Sequence, residues 1–132
     1  MHRSRLTAAL FDVPTEAFDA EIAFWAGALG RTARPDADDP DYVELDQRSS
    51  GLELMVQRIG RGGDAARVHL DIETDDVEAE VRRLEDLGAV RVEKIKTWQV
   101  MRDPAGILFC VVEVQTPEAF EANALTWGDD GD

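Results

Sequence analysis

The sequence has a single cysteine, Cys110, so no disulfide can form within the chain. A lone thiol fits a reducing compartment. Histidine is scarce too: only His2 and His69 are present, which excludes a site built from three histidines. Basic residues number 14 against 28 acidic ones, for a net charge of −14. A surface this negative repels phosphate backbones and anionic lipid, so nucleic acid and membranes are not expected partners. It suits cationic ligands, although plain solubility is the simpler reading. No apolar run approaches the length of a membrane span. Arg3 and Arg5 precede the apolar stretch Leu6 to Phe11, which is too short for the core of a secretion signal and is cut by Asp12. A cytoplasmic location is the expectation. Also missing are a glycine-rich phosphate loop, a Gly-x-Ser-x-Gly elbow and a paired-cysteine zinc motif.

What is present is enough for one folded domain. The chain has 132 residues, about one ordinary domain, and its 44% hydrophobic content can fill one core. Leu6 to Val13 reads as a strand ending at Pro14. Phe18, Ile22, Trp25 and Leu29 then fall on one stripe of a helix, with Gly30 placed as its left-handed cap. Arg31 to Arg34 reads as a short strand and Pro35 to Asp41 as a polar turn. Tyr42 to Leu45 and Leu52 to Arg58 read as strands joined through Ser49, Ser50 and Gly51. Arg61 to Asp64 is a flexible connection.

The second half repeats the order. Val68 to Glu73 alternates as a strand, and Asp75 with Glu78 resembles a capping box. Val77, Val81, Leu84 and Leu87 make a second helical stripe, Glu78 and Arg82 add a surface pair, and Gly88 ends the helix. Ala89 to Ile95, Trp98 to Arg102 and Ile107 to Val114 follow as strands, the last two joined by the turn Asp103 to Gly106. Thr116 to Leu125 is a short helix and Gly128 to Asp132 a frayed tail. The expected fold class is α+β, two tandem βαβββ modules with helices on the outer face of the sheet. Their bounds are about 6–58 and 67–114, followed by an extension at 115–132 within a single domain.

Strand alternation divides the side chains. Val68, Leu70 and Ile72 form an apolar face that packs on helices, while His69, Asp71 and Glu73 point the other way. Leu52, Leu54 and Val56 likewise oppose Glu53, Met55 and Gln57. The polar residues of both strands therefore collect on the sheet face without helices, either a ligand site or an ordinary solvated face.

The doubled βαβββ order, Phe24-Trp25 with Leu29-Gly30, the strand His69-Leu70-Asp71-Ile72 and the turn Asp103-Pro104-Ala105-Gly106 together resemble the vicinal oxygen chelate superfamily. That group includes glyoxalase I, bleomycin- and fosfomycin-resistance proteins and extradiol dioxygenases; the chain is most similar to small bacterial glyoxalase-like domains. The resemblance spans Leu6 to Val114. It implies a cupped mixed sheet, a small-molecule ligand and a twofold homodimer. It also implies four metal-ligand positions in the cup. Glu53 matches one and His69 another. The first-strand position, near Thr7 to Ala9, has no histidine, and the last holds Cys110.

Each candidate has a plain alternative. His69 suits a metal ligand or general base, or a hydrogen-bonded wall of the cup. Glu53 suits a metal or a base, or a partly solvated carboxylate paired with Arg67 or Arg102. Cys110 suits a third metal ligand, but apolar neighbours favour an inert thiol. Trp98 and Met101 line the pocket or belong to the core. Gln57 shares the Glu53 face, Trp25 is core, Trp127 covers an interface, and His2 is not a partner for the site. The first functional reading is a small-molecule-binding protein without the full four-ligand metal site. The second is a glyoxalase-type lyase or isomerase using Glu53 and His69 with a divalent metal (Zn, Ni, Fe or Mn). The third is a dimeric, non-catalytic interaction module.

Overall fold

The structure, a computed structural model, describes residues 1–45, 52–60 and 65–128. The Ser49-Ser50-Gly51 loop, the Arg61 to Asp64 connection and the tail after Gly128 lie outside the described residues. Among those described, nine strands form a mixed sheet accompanied by three α-helices, an α+β architecture. Contacts group the chain into two units, Ala8–His69 and Met1–Thr7 with Leu70 onward.

The Ala8–His69 unit takes the second half of β1 (His2–Val13), a 3-10 turn at Thr15–Ala17, α1 (Phe18–Leu29), β2 (Ala33–Pro35), β3 (Tyr42–Leu45) and β4 (Glu53–Arg58). β1 and β4 run parallel with Ala8 opposite Glu53 and Asp12 opposite Gln57, while β3 is antiparallel to β4 and to β2. Odd residues of β1 thus share a face with even residues of β4. That face, with Phe11, Val13, Leu54 and Val56, meets Phe18, Ile22 and Trp25 of α1 over Val43 and Leu45. Phe11 and Trp25 stack at 5.0 Å. Leu29, the last member of the predicted stripe, is exposed instead. Gly30 caps the helix at φ 65°, a left-handed conformation that costs an ordinary residue about 1 kcal/mol. The short strand β2 falls at Ala33–Pro35, slightly later than the expected Arg31 to Arg34.

In the other unit, β5 (Arg67–Thr74) runs parallel to β8 (Leu108–Glu113), which pairs antiparallel with β7 (Trp98–Arg102), which in turn pairs with β6 (Val90–Ile95). α2 (Val77–Asp86) lays Val77, Val81 and Leu84 on Ile72, Met101, Phe109 and Val111. Leu87 lies beyond the helix end and is exposed. The cap differs from expectation: Asp76 accepts from the Ala79 amide. The Asp75 carboxylate accepts from the Arg3 amide and Nε.

The two chain ends depart most from the sequence reading. After α3 (Pro117–Asn123), residues Leu125–Trp127 form β9, antiparallel to the start of β1, so β1 begins at His2 and not Leu6. Trp127 donates to Ser4 Oγ, and the Arg83 guanidinium lies 3.9 Å over its ring. His2 is buried with Nε2 2.8 Å from Glu80. Backbone pairing fixes both segments, which a sequence pattern three residues long does not announce.

Two carboxylates of this unit are fully buried. Glu80 meets His2, Ser4 and both Nε and an Nη of Arg83. Glu73 lies on the strand face away from α2, as expected, but is covered there and held by Arg5 Nε at 2.6 Å, Thr116 Oγ1 at 2.6 Å and the amides of Gln115 and Thr116. Burial pushes both acids up, but these hydrogen bonds outweigh it and hold each below its ordinary 4.5. Their pairing therefore stabilises the fold above about pH 4.5 and is lost as pH falls through the lower folded-state values. Glu80→Gln should cost about 2 kcal/mol or more near neutral pH and flatten the acid limb, read as denaturant midpoints between about pH 3 and 7. Gly30→Ala should cost about 1 kcal/mol with no change in that pH profile.

Candidate functional site

The chemistry-bearing face of the Ala8–His69 unit follows from its register. With Phe11 and Val13 committed to α1, Ala8, Leu10 and Asp12 point to the opposite side of β1, together with Glu53, Met55 and Gln57 of β4 and Tyr42 and Glu44 of β3. Asp12 is only 2% exposed, a buried acid in an otherwise apolar strand. Its Oδ2 lies 2.6 Å from His69 Nδ1 and 3.5 Å from Arg67 Nε. Its Oδ1 is buried and has no hydrogen-bond partner among the described residues.

This arrangement fixes a chemical role for the imidazole. With the Asp12 carboxylate as the acceptor, Nδ1 carries the hydrogen of this bond. In the neutral ring Nε2 is then the acceptor nitrogen. Arg67 offsets part of the buried negative charge, which would otherwise be costly. Arg67 pairs with Asp12, and Arg102 donates to the Gly106 carbonyl.

The other candidates are distributed unevenly. Gln57 shares the Asp12 face but donates its amide to Tyr42 Oη at 2.8 Å. Glu53 is half-buried on the same face. In the second unit, Phe109 and Val111 face α2, so Cys110, with its cross-strand neighbours Asp71 and Val100, faces away, as does Trp98. Cys110 is half-buried, not sealed in a dry core. Met101 requires a correction: it is fully buried beside Val81, because its alternation in β7 matches Gln99 and not Trp98.

The four-ligand metal pattern does not fit the donors of the Ala8–His69 unit. At the first-strand position, Thr7 is tied to Arg5 and Thr116 in the other unit's network, and Ala8 and Ala9 bring no donor side chain. The acid of β1, Asp12, spends one oxygen holding His69 in place. Among the described residues, Glu53 forms no three-donor group with Asp12 and His69.

The profile of the glyoxalase-like domain matches residues 8–112. The chain belongs to the glyoxalase-like domain family. Solved structures share its fold at low identity. Methylmalonyl-CoA epimerase from Mycobacterium tuberculosis is 17% identical, with a TM-score of 0.59 over 86% of this chain and 90% of that one. A Streptomyces coelicolor methylmalonyl-CoA epimerase variant in complex with 2-nitronate-propionyl-CoA is 14% identical, with a TM-score of 0.55 over 85% and 98%. A glyoxalase/bleomycin resistance protein/dioxygenase superfamily member from Vibrio splendidus is 17% identical, with a TM-score of 0.51 over 83% and 100%. No curated protein matches the sequence significantly.

In this glyoxalase-like domain, Asp12 is the residue that sequence reasoning passed over. The available signal was a single acid between Phe11 and Val13, since a charge in an apolar strand is rarely buried without a partner. Asp12→Ala should release Nδ1 and redistribute His69 between its tautomers. Long-range 15N–1H correlation spectra report this directly, and unchanged His69 nitrogen shifts would contradict the pairing.

Proposed function

We propose that this glyoxalase-like domain binds a small organic molecule on the face of the Ala8–His69 strands opposite α1, at a site that includes His69, with Asp12 as the residue that orients the imidazole. The observation that carries this reading is the buried, half-paired Asp12 carboxylate 2.6 Å from His69 Nδ1. A buried carboxylate backing a histidine holds one tautomer and one ring orientation, and here, unlike Glu80 beside His2, the carboxylate keeps one oxygen without a hydrogen-bond partner among the described residues. The same face carries Glu44 and Glu53, and the chain carries net charge −14. A neutral or cationic ligand suits it better than a polyanion such as the CoA esters bound by the epimerase neighbours.

A divalent-metal lyase or isomerase using Glu53 and His69 is the second reading. It is favoured by the shared character of the two residues: Glu53 stands on the Asp12 face, and His69 bonds Asp12 from that side. A twofold homodimer is proposed with either reading.

Metal analysis of protein purified without chelator separates the two. The binding reading expects no stoichiometric metal in wild type; metal that is stoichiometric and lost in Glu53→Ala/His69→Ala would establish the second reading. A thermal-shift screen of neutral and cationic organic molecules should yield ligands that stabilise wild type by several degrees and no longer stabilise His69→Ala. Their amide shift changes should map to Ala8, Asp12, Glu53 and Gln57. Hits that bind His69→Ala equally well would remove the histidine from the site.

A further inference from the structure

We infer that the outward face of α1 is the surface on which a second copy of this chain docks, helix antiparallel to helix about a twofold axis. This names the place of the twofold pairing proposed above and rests on that pairing. With Phe18, Ile22 and Trp25 turned to the strands, helical periodicity turns Ala20, Ala23, Phe24 and Gly27 to the outside. All four are exposed, Phe24 at 61%. No charged residue stands between Glu21 and Arg31, although charged residues make up 32% of the chain. α2 differs in this respect. Its exposed residues, Glu78, Arg82, Glu85 and Asp86, are all charged, as suits a helix face turned to water.

Two details fit this face to a partner helix. Phe24 is held in place: its ring stands edge-on to Trp25 at 5.1 Å, and Trp25 is itself stacked on Phe11. An exposed aromatic that is already ordered loses little entropy on association. Gly27 lies inside the helix, where glycine is weaker than alanine. Among the described residues, nothing beyond its own turns of helix comes within 4 Å of where a Cβ would stand, so the fold itself makes no use of the missing side chain. A second helix packed closely across Gly27 does.

Charge selects the occupant and its direction. α1 carries Asp19 and Glu21 in its first turn, and Arg31 follows its end. An antiparallel second copy lays each acidic end beside the other copy's Arg31, whereas a parallel one would lay acid on acid. Matching Asp19 to Arg31 puts the crossing level with Trp25, midway between them. Ala23 of one copy then meets Gly27 of the other, with Phe24 beside them. Each copy offers the same patch, as a closed twofold pair demands. The net charge of −14 opposes self-association, and least so at an uncharged face. The 12 residues of α1 span about 18 Å. A helix pair that short buries less than the roughly 1,200–2,000 Å² of a standard interface, so the pairing is weak and concentration-dependent.

Sedimentation equilibrium of the full chain, from about 5 to 500 μM, should show a reversible monomer–dimer equilibrium. Phe24→Glu and Gly27→Leu should each weaken the dimer by about tenfold or more. Gly27→Leu favours the helix, so the dilute variant should melt no lower than wild type, which separates lost pairing from lost folding. Asp19→Arg should weaken the dimer roughly three- to tenfold, and adding Arg31→Glu should restore it. A wild type that stays monomeric across the range would overturn both this inference and the twofold pairing. A dimer indifferent to Phe24→Glu and Gly27→Leu would overturn this surface and leave the pairing itself standing elsewhere on the molecule. Failure of the charge swap to restore association would overturn the antiparallel arrangement.

Discussion

A buried carboxylate must be met by donors or charge, and that requirement organises much of this molecule. Asp12, Glu73 and Glu80 are all removed from water. Glu73 and Glu80 are satisfied on every side, and in being satisfied they fasten Arg5, His2, Ser4, Thr116 and Arg83 to the second unit. Asp12 is satisfied on one oxygen only. Full satisfaction marks the first two as structural. Partial satisfaction, with a histidine on the paired oxygen, marks the third as the residue around which a binding site can be argued.

The same distinction bears on metal chemistry. The sheet face opposite α1 offers Glu53 and His69, but the strand that would supply a further ligand supplies a carboxylate committed to the imidazole. Asp12 therefore sets the direction of His69 through one of its two oxygens. The fold matches epimerases and a dioxygenase-superfamily member, yet at 14–17% identity it carries no ligand set with it. What the fold supplies in the Ala8–His69 unit is a frame with one strand face packed on α1 and an opposite face that carries Asp12, Glu53 and Gln57.

Much of that frame was legible in the sequence. The α1 stripe, the Gly30 cap, β3, β4, β7 and the Asp103 to Gly106 turn follow local rules of periodicity and turn chemistry. The facing of Glu53 follows from alternation within β4. Glu73 does point away from α2 as alternation predicts, but the sequence did not show that it would be covered, and Met101 was misplaced because alternation fixes which residues share a face but not which face a neighbouring element covers. In β7 the Gln99–Met101 row meets Val81; at Glu73 the segment around Thr116 closes over the strand. β9 was missed because a three-residue strand has no periodicity to detect.

By itself the sequence determined the fold class, the main helices and strands, and the gathering of Glu53 and Gln57 on one strand face, because these rest on interactions between residues close along the chain. Only the tertiary structure decided that Asp12 is the partner of His69, that His2 and Trp127 are tied to Glu80 and Ser4, and that Met101 is core. Those pairings join residues from 20 to more than 100 positions apart, as with the 57-residue separation of Asp12 and His69. The burial that makes each of them matter exists only once the strands between have closed.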